Sequence, residues 1–184
     1  MRNLSILAIA VLGLALFGCT QPPVEIPTAT PTTEARMYQS VSIGTSSSAE
    51  VPTGWAKKQG TVMADASFTD SRSGSVISFA SLPMEDETLE NFANGQLEQT
   101  DNELSINPLA LAFARNLGVN RFGERDWYVA CYTFTDETGK DFEQCSSFTA
   151  CGTNSGIVLV SAEGKGELKT QIPSYRHALE TYKC

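Results

Sequence analysis

Five cysteines and a single histidine, His177, are the side chains whose type and spacing bear most on chemistry in this chain. A thiolate serves as nucleophile, metal ligand or disulfide partner, and spacing separates these uses. Structural metal knuckles and redox motifs both want Cys-x-x-Cys, and Cys131, Cys145, Cys151 and Cys184 contain no such pair; Cys145 and Cys151 are six apart. Disulfide bridging is the use that fits. One histidine does not readily build a catalytic triad or a multi-histidine metal site. Ser155, within Gly152-Thr153-Asn154-Ser155-Gly156, lacks the Gly-x-Ser-x-Gly spacing of a nucleophile elbow, and Gly164-Lys165-Gly166 lacks that of a P-loop. Acids number 21, yet no local motif nominates a general acid–base pair. Glu85-Asp86-Glu87 lacks the spaced oxygens and turn glycine of a calcium loop, and reads as a solvated patch complementing a helix start. The expectation is no catalytic residue, no metal site and no cofactor.

The remaining cysteine, Cys19, closes an apolar run that extends from Leu4 to Phe17 after Met1-Arg2-Asn3. About fourteen residues are short for a hydrocarbon core of ~30 Å, which takes about twenty. Cys19-Thr20-Gln21-Pro22-Pro23 follows at once with no basic stop-transfer cluster, so residues 1–18 read as a signal peptide. Leu16-Phe17-Gly18-Cys19 resembles the lipobox of prokaryotic lipoproteins. That resemblance implies that the Cys19 thiolate takes up lipid and becomes the first residue of the mature chain; the alternative is an ordinary secretory signal with an incidental cysteine. Residues 19–36 hold four of the eight prolines and read as a Pro/Thr-rich tether. In extended polyproline form, at ~3.1 Å per residue, it would reach roughly 50 Å. The expected partner is the membrane, through lipid on Cys19, with an extracytoplasmic location in the cell envelope.

The whole chain has 184 residues, one domain's worth, and the folded body is expected over 37–184. With 13 basic against 21 acidic side chains, a net charge of −8, it lacks the cationic field that supplies most affinity for nucleic acid. Along the body, apolar alternation predicts strands over 37–43, 49–51, 60–68 and 75–82. Leu89, Phe92, Ala93, Gln96 and Leu97 fall on one helical face, with Thr88 as N-cap. Asn107-Pro108 before LALAFARNL and Gly118 suits a second helix; the same run alternates as Leu109, Leu111, Phe113, which suits a strand, and its alanine content favours the helix. Tyr175, Ala178, Leu179 and Tyr182 mark the last helix. Strands, helix, strands, helix is an α+β order, an antiparallel β-sheet flanked by helices.

Two β-rich runs, 127–135 and 141–150, flank Asp136-Glu137-Thr138-Gly139-Lys140. Asp first and Gly fourth suit a type I turn with a G1 bulge, which pairs Asp136 with Lys140 and therefore sets Cys131 opposite Cys145. That register gathers Tyr128, Ala130, Tyr132 and Phe134 on one face with Phe142 and Phe148. It also places 131/145 at a non-hydrogen-bonded pair, where Cα atoms approach to about 4.5 Å. By exclusion Cys151 bridges Cys184, fastening the last helix to the sheet.

In chain order, the strand entering Val51-Pro52-Thr53-Gly54-Trp55, the strands ending Ser81-Leu82-Pro83, the helix start Thr88-Leu89-Glu90-Asn91-Phe92-Ala93, the hairpin and the terminal helix resemble the PsbP-like superfamily, which includes LpqN-type lipoproteins. The resemblance covers roughly 37–184. It implies an α/β/α sandwich, no shared catalytic residues, and a role in assembly or binding. The four cysteines and the segment after Asn107 depart from that pattern, so no binding surface carries over. The leading expectation is a lipid-anchored accessory or binding lipoprotein without catalytic activity, whose protein or small-molecule partner is unknown. The alternative is a cell-envelope hydrolase with a site assembled from distant acidic and serine residues. Trp55 and Trp127, with Tyr128 and Tyr132, are candidates for lining a ligand groove or else belong to the core.

Overall fold

Asp136 organises the hairpin at the centre of the molecule. Its carboxylate accepts from the backbone N–H of Thr138 and Lys140 at 2.9 and 3.0 Å. The Thr138 hydroxyl, which also donates to it, and then those backbone bonds hold the carboxyl below the usual aspartate range. Gly139 takes φ 81°, the left-handed bulge position that a side chain resists. The closing bond runs from Asp136 N to Lys140 O at 2.9 Å, and the strands pair in the register expected from the turn, Cys131 opposite Cys145.

The computed structural model describes residues 37–58, 64–84, 87–114 and 118–184. The signal peptide, the tether and Cys19 lie outside the described residues, as do Glu85 and Asp86. In chain order the elements are β1 (Tyr38–Ile43), β2 (Ser47–Pro52), β3 (Ala56–Lys58), β4 (Ala66–Thr69), β5 (Val76–Pro83), α1 (Leu89–Leu104), β6 (Asn107–Pro108), β7 (Gly118–Phe122), β8 (Arg125–Thr135), β9 (Asp141–Cys151), β10 (Asn154–Glu163) and α2 (Leu168–Thr181). One sheet runs β3-β4-β5-β10-β9-β8-β6, with β7 also on β8, and β1 pairs β2 separately. Every pairing is antiparallel, so the chain is α+β as expected.

The sheet is buried on both faces, and strand parity divides the core in two. Tyr128, Ala130, Tyr132, Phe148 and Ile157 pack with Phe92, Ala93 and Leu97 of α1. The alternate residues Trp127, Val129, Cys145, Val158 and Val160 pack with Leu168, Tyr175, Ala178 and Leu179 of α2 and with Ala49 and Val51 of β2. Each such large side chain taken fully from water contributes about 1.5–3 kcal/mol. Thr88 caps α1 as expected, its hydroxyl accepting from Asn91 N at 3.2 Å.

The segment after Asn107 departs from the expected helix. Asn107 and Pro108 pair Thr133 and Tyr132, Leu109 N donates to Cys131 O at 2.8 Å, and residues 109–114 continue without helix. Leu109, Leu111 and Phe113 pack against the α2-side core. The alternation therefore reports the fold: β8 offers an unpaired edge that satisfies Leu109, proline tolerates an edge position, and tertiary packing overrides alanine's helix propensity. Gly118 opens β7.

Candidate functional site

Of the side chains singled out from sequence, the four body cysteines are brought together most closely. Cys131 bonds Cys145, with Cα atoms 4.0 Å apart, and Cys151 bonds Cys184, with Cα atoms 5.8 Å apart. The second bond ties Cys184, three residues past the end of α2, to the end of β9, and Lys183 beside it exchanges backbone hydrogen bonds of 2.8 and 2.9 Å with Ser48 of β2. Among the described residues, no three His, Cys, Asp or Glu side chains gather as a metal set.

The tryptophans do not line a groove. Trp127 is wholly buried and Trp55 is 8% exposed; both belong to the core on the α2 side, where the Trp127 ring meets Tyr182 edge-on at 5.4 Å. Their places follow from strand parity: Trp127 alternates with Val129 on the inward side of β8, and Trp55 ends the turn after β2. Ser155 is buried at the second residue of β10, a position closed to substrate.

His177 lies on the flank of α2, and its Nε2 is 2.7 Å from Oε2 of Glu50 on β2. An ionised carboxylate only accepts, so Nε2 carries the proton in this pair. The ring stacks on Tyr38 with centroids 3.6 Å apart. The lone histidine thus joins β1, β2 and α2, and its described partner is a carboxylate, not a serine hydroxyl. No sequence signal marked this contact, because His177 lies 127 positions from Glu50, near the other end of the chain from the hairpin that it touches.

Two concave surfaces stand out. One, of about 490 Å³, lies where Ser48 and Glu50 of β2, Glu124 of the β7–β8 turn, Arg125 at the start of β8, Glu180 of α2 and Lys183 just past it converge. It is polar and of mixed charge. Arg125 is already engaged there, its guanidinium donating to the carbonyls of Ala150 and Cys184 at 3.3 Å each. The other, of about 370 Å³, lies between α1 and β8, with Leu97, Ile106, Pro108, Ala130 and Tyr132 in its walls and Glu98 and Asp101 at its mouth. Tyr132 forms a floor fixed by hydrogen bonds with Ser146, at 2.9 Å, and Gln144. Burial pushes its phenol above the usual tyrosine range. A volume in this range and an apolar lining with few polar groups are the usual attributes of a small-ligand site.

No protein-family model matches the sequence, and no curated protein matches it. Solved structures do match the fold. Cyanobacterial PsbP (CyanoP) from Synechocystis sp. PCC 6803 is similar with a TM-score of 0.52 and 12% identity, over 83% of this chain and 95% of that one. A point mutant of the protein Mog1 is similar with a TM-score of 0.53 and 10% identity, over 80% and 95%. A protein from Bacteroides thetaiotaomicron VPI-5482 has a TM-score of 0.54 and 13% identity, over 78% of this chain. The chain spans about half the length of that Bacteroides protein, 47%. The fold is of the PsbP and Mog1 kind.

Proposed function

We propose that this chain is an accessory or binding lipoprotein without catalytic activity, held outside the cytoplasmic membrane by lipid on Cys19, with a body layered as an α/β/α sandwich. The observation that carries the reading is the pair of disulfides, Cys131–Cys145 and Cys151–Cys184. Such bonds belong to oxidising compartments, and the fifth cysteine then stands apart, directly after an apolar leader. The fold likeness to CyanoP supports the binding role that the resemblance implies. Against the hydrolase alternative weighs the setting of His177, whose ring stacks on Tyr38 and pairs with Glu50, with no serine hydroxyl among its described partners.

The test is metabolic labelling with an alkyne-tagged palmitate in a bacterial host, followed by fractionation. The wild-type chain takes the label and sediments with membranes, while Cys19→Ala takes none. A labelled Cys19→Ala chain, or a wild-type chain that takes no label, would refute the anchor.

A further inference from the structure

The cleft between α1 and β8 has an apolar interior and a mouth of one charge sign, and the geometry points to a ligand built the same way: a small organic cation, with an apolar body and a single ammonium or guanidinium end. This deepens the binding role proposed above and rests on it.

Three independent features converge. First, the walls are Leu97, Ile106, Pro108, Ala130 and the ring of Tyr132, contributed by a helix, a loop and two strands, so the apolar lining is a tertiary product and not one element's stripe. Its volume of about 370 Å³ suits a ligand body and is small for a folded partner, which takes ~800 Å² per side. Second, the residues at the mouth are Glu98 and Asp101, and among the described residues no basic side chain lines the cleft. The whole of α1 carries Glu90, Glu98, Asp101 and Glu103 and no Lys, Arg or His. Third, the cleft borders the C-terminal half of α1, where the helix dipole presents its negative end and no basic side chain of the last turn offsets it. A cation seated there would meet two carboxylates and a helix terminus, while its apolar body covers side chains that water solvates poorly.

The two carboxylates differ in what they already do. Asp101 accepts from Ile106 N at 2.9 Å and so helps shape the loop after α1. Glu98 is exposed and is the group left to pair with the ligand's charge. Its replacement therefore tests the site without disturbing the fold.

The probe is 4-phenylbutylamine, with 4-phenylbutanol and 4-phenylbutyric acid as neutral and anionic counterparts of the same body, titrated by calorimetry into the full-length chain. Glu98→Lys is run in parallel so that uptake of probe into detergent cancels. The amine is expected to bind with a dissociation constant on the order of a millimolar, as its few heavy atoms allow. The acid is expected to bind about tenfold more weakly, and Glu98→Lys to weaken the amine by about tenfold, the size of one partly screened charge reversal. Equal binding of amine and acid, an unchanged Glu98→Lys chain, or no binding of the amine would each overturn the assignment. These failures are separable from failure of the anchor: acylation of Cys19 with no amine binding sinks the ligand class alone, and Glu98-dependent binding by a chain that takes no palmitate sinks the anchor alone.

Discussion

The carboxylate of Glu143, near the start of β9, caps the start of α2: it accepts from Leu168 N at 3.2 Å with one oxygen and from Gly166 N at 2.7 Å with the other. The helix's own N-cap residue, Glu167, makes no such side-chain bond. A buried acid on the sheet thus satisfies donors that the helix leaves open and sits at the positive end of its dipole. Glu143→Ala is expected to cost about 2 kcal/mol, through the orphaned N–H groups, with Glu143→Gln losing a smaller part. Urea unfolding of the three chains measures this, and equal midpoints for wild type and Glu143→Ala would contradict the capping role.

Each disulfide closes a loop, of 14 residues' separation for Cys131–Cys145 and 33 for Cys151–Cys184. The chain-entropy relation gives ~3 and ~4 kcal/mol respectively. The double variant Cys151→Ala/Cys184→Ala is expected to lose the larger amount and to lower the urea midpoint more than Cys131→Ala/Cys145→Ala does. Non-reducing peptide mapping of the wild type is expected to return these two bridges and no other.

Gly123 stands at the β7–β8 turn with φ 59°, and a Cβ there would lie 2.5 Å from the carbonyl oxygen of Glu180 on α2. Gly139 also has positive φ, at 81°, but opens to space. Gly123→Ala should therefore cost ~2 kcal/mol or more, from backbone strain and collision together, against ~1 kcal/mol for Gly139→Ala. Thermal melts of the two variants separate these effects, and equal melting points would exclude the collision.

Tyr175 is fully buried beneath the sheet, hydrogen-bonded to the hydroxyl of Ser147, and burial drives its phenol far above the usual tyrosine range. The folded chain therefore keeps a proton that the unfolded chain releases. Its contribution to stability is full below the unfolded value of about 10 and is lost progressively as pH rises beyond it. Absorbance at 295 nm during an alkaline titration should show this tyrosine ionising only together with unfolding. A reversible ionisation of all five tyrosines with ellipticity unchanged would contradict it.

Local rules reached far into the fold. The Asp136 turn carries its register in five residues, and that register alone set Cys131 against Cys145 and sorted the aromatic face from the cysteine face. Thr88 announced α1 for the same reason, since an N-cap acts within one turn. What stayed hidden depends on partners far along the chain. Pro173 would ordinarily sit near the start of a helix, yet α2 begins at Leu168, because Glu143 from β9 stabilises the added turn. The α1 cleft was equally illegible: its walls come from positions 97 to 132, and no periodicity relates Ile106 and Pro108 to Ala130. Trp127 was ambiguous between groove and core until the sheet's second face had an occupant, α2, to bury it.

The exchange of hydrogen bonds between Ser48 and Lys183 has a mechanical consequence. A pull on the chain at residue 37 would first peel β1 from β2, starting at the Tyr38–Pro52 pair and breaking the ladder one rung at a time at low force. Load reaching Ser48 would then meet Lys183, whose neighbour Cys184 is covalently bound to β9. The first hairpin is thus a compliant length that yields under tension, in series with a clamp that passes the remaining force through sulfur into the central strands.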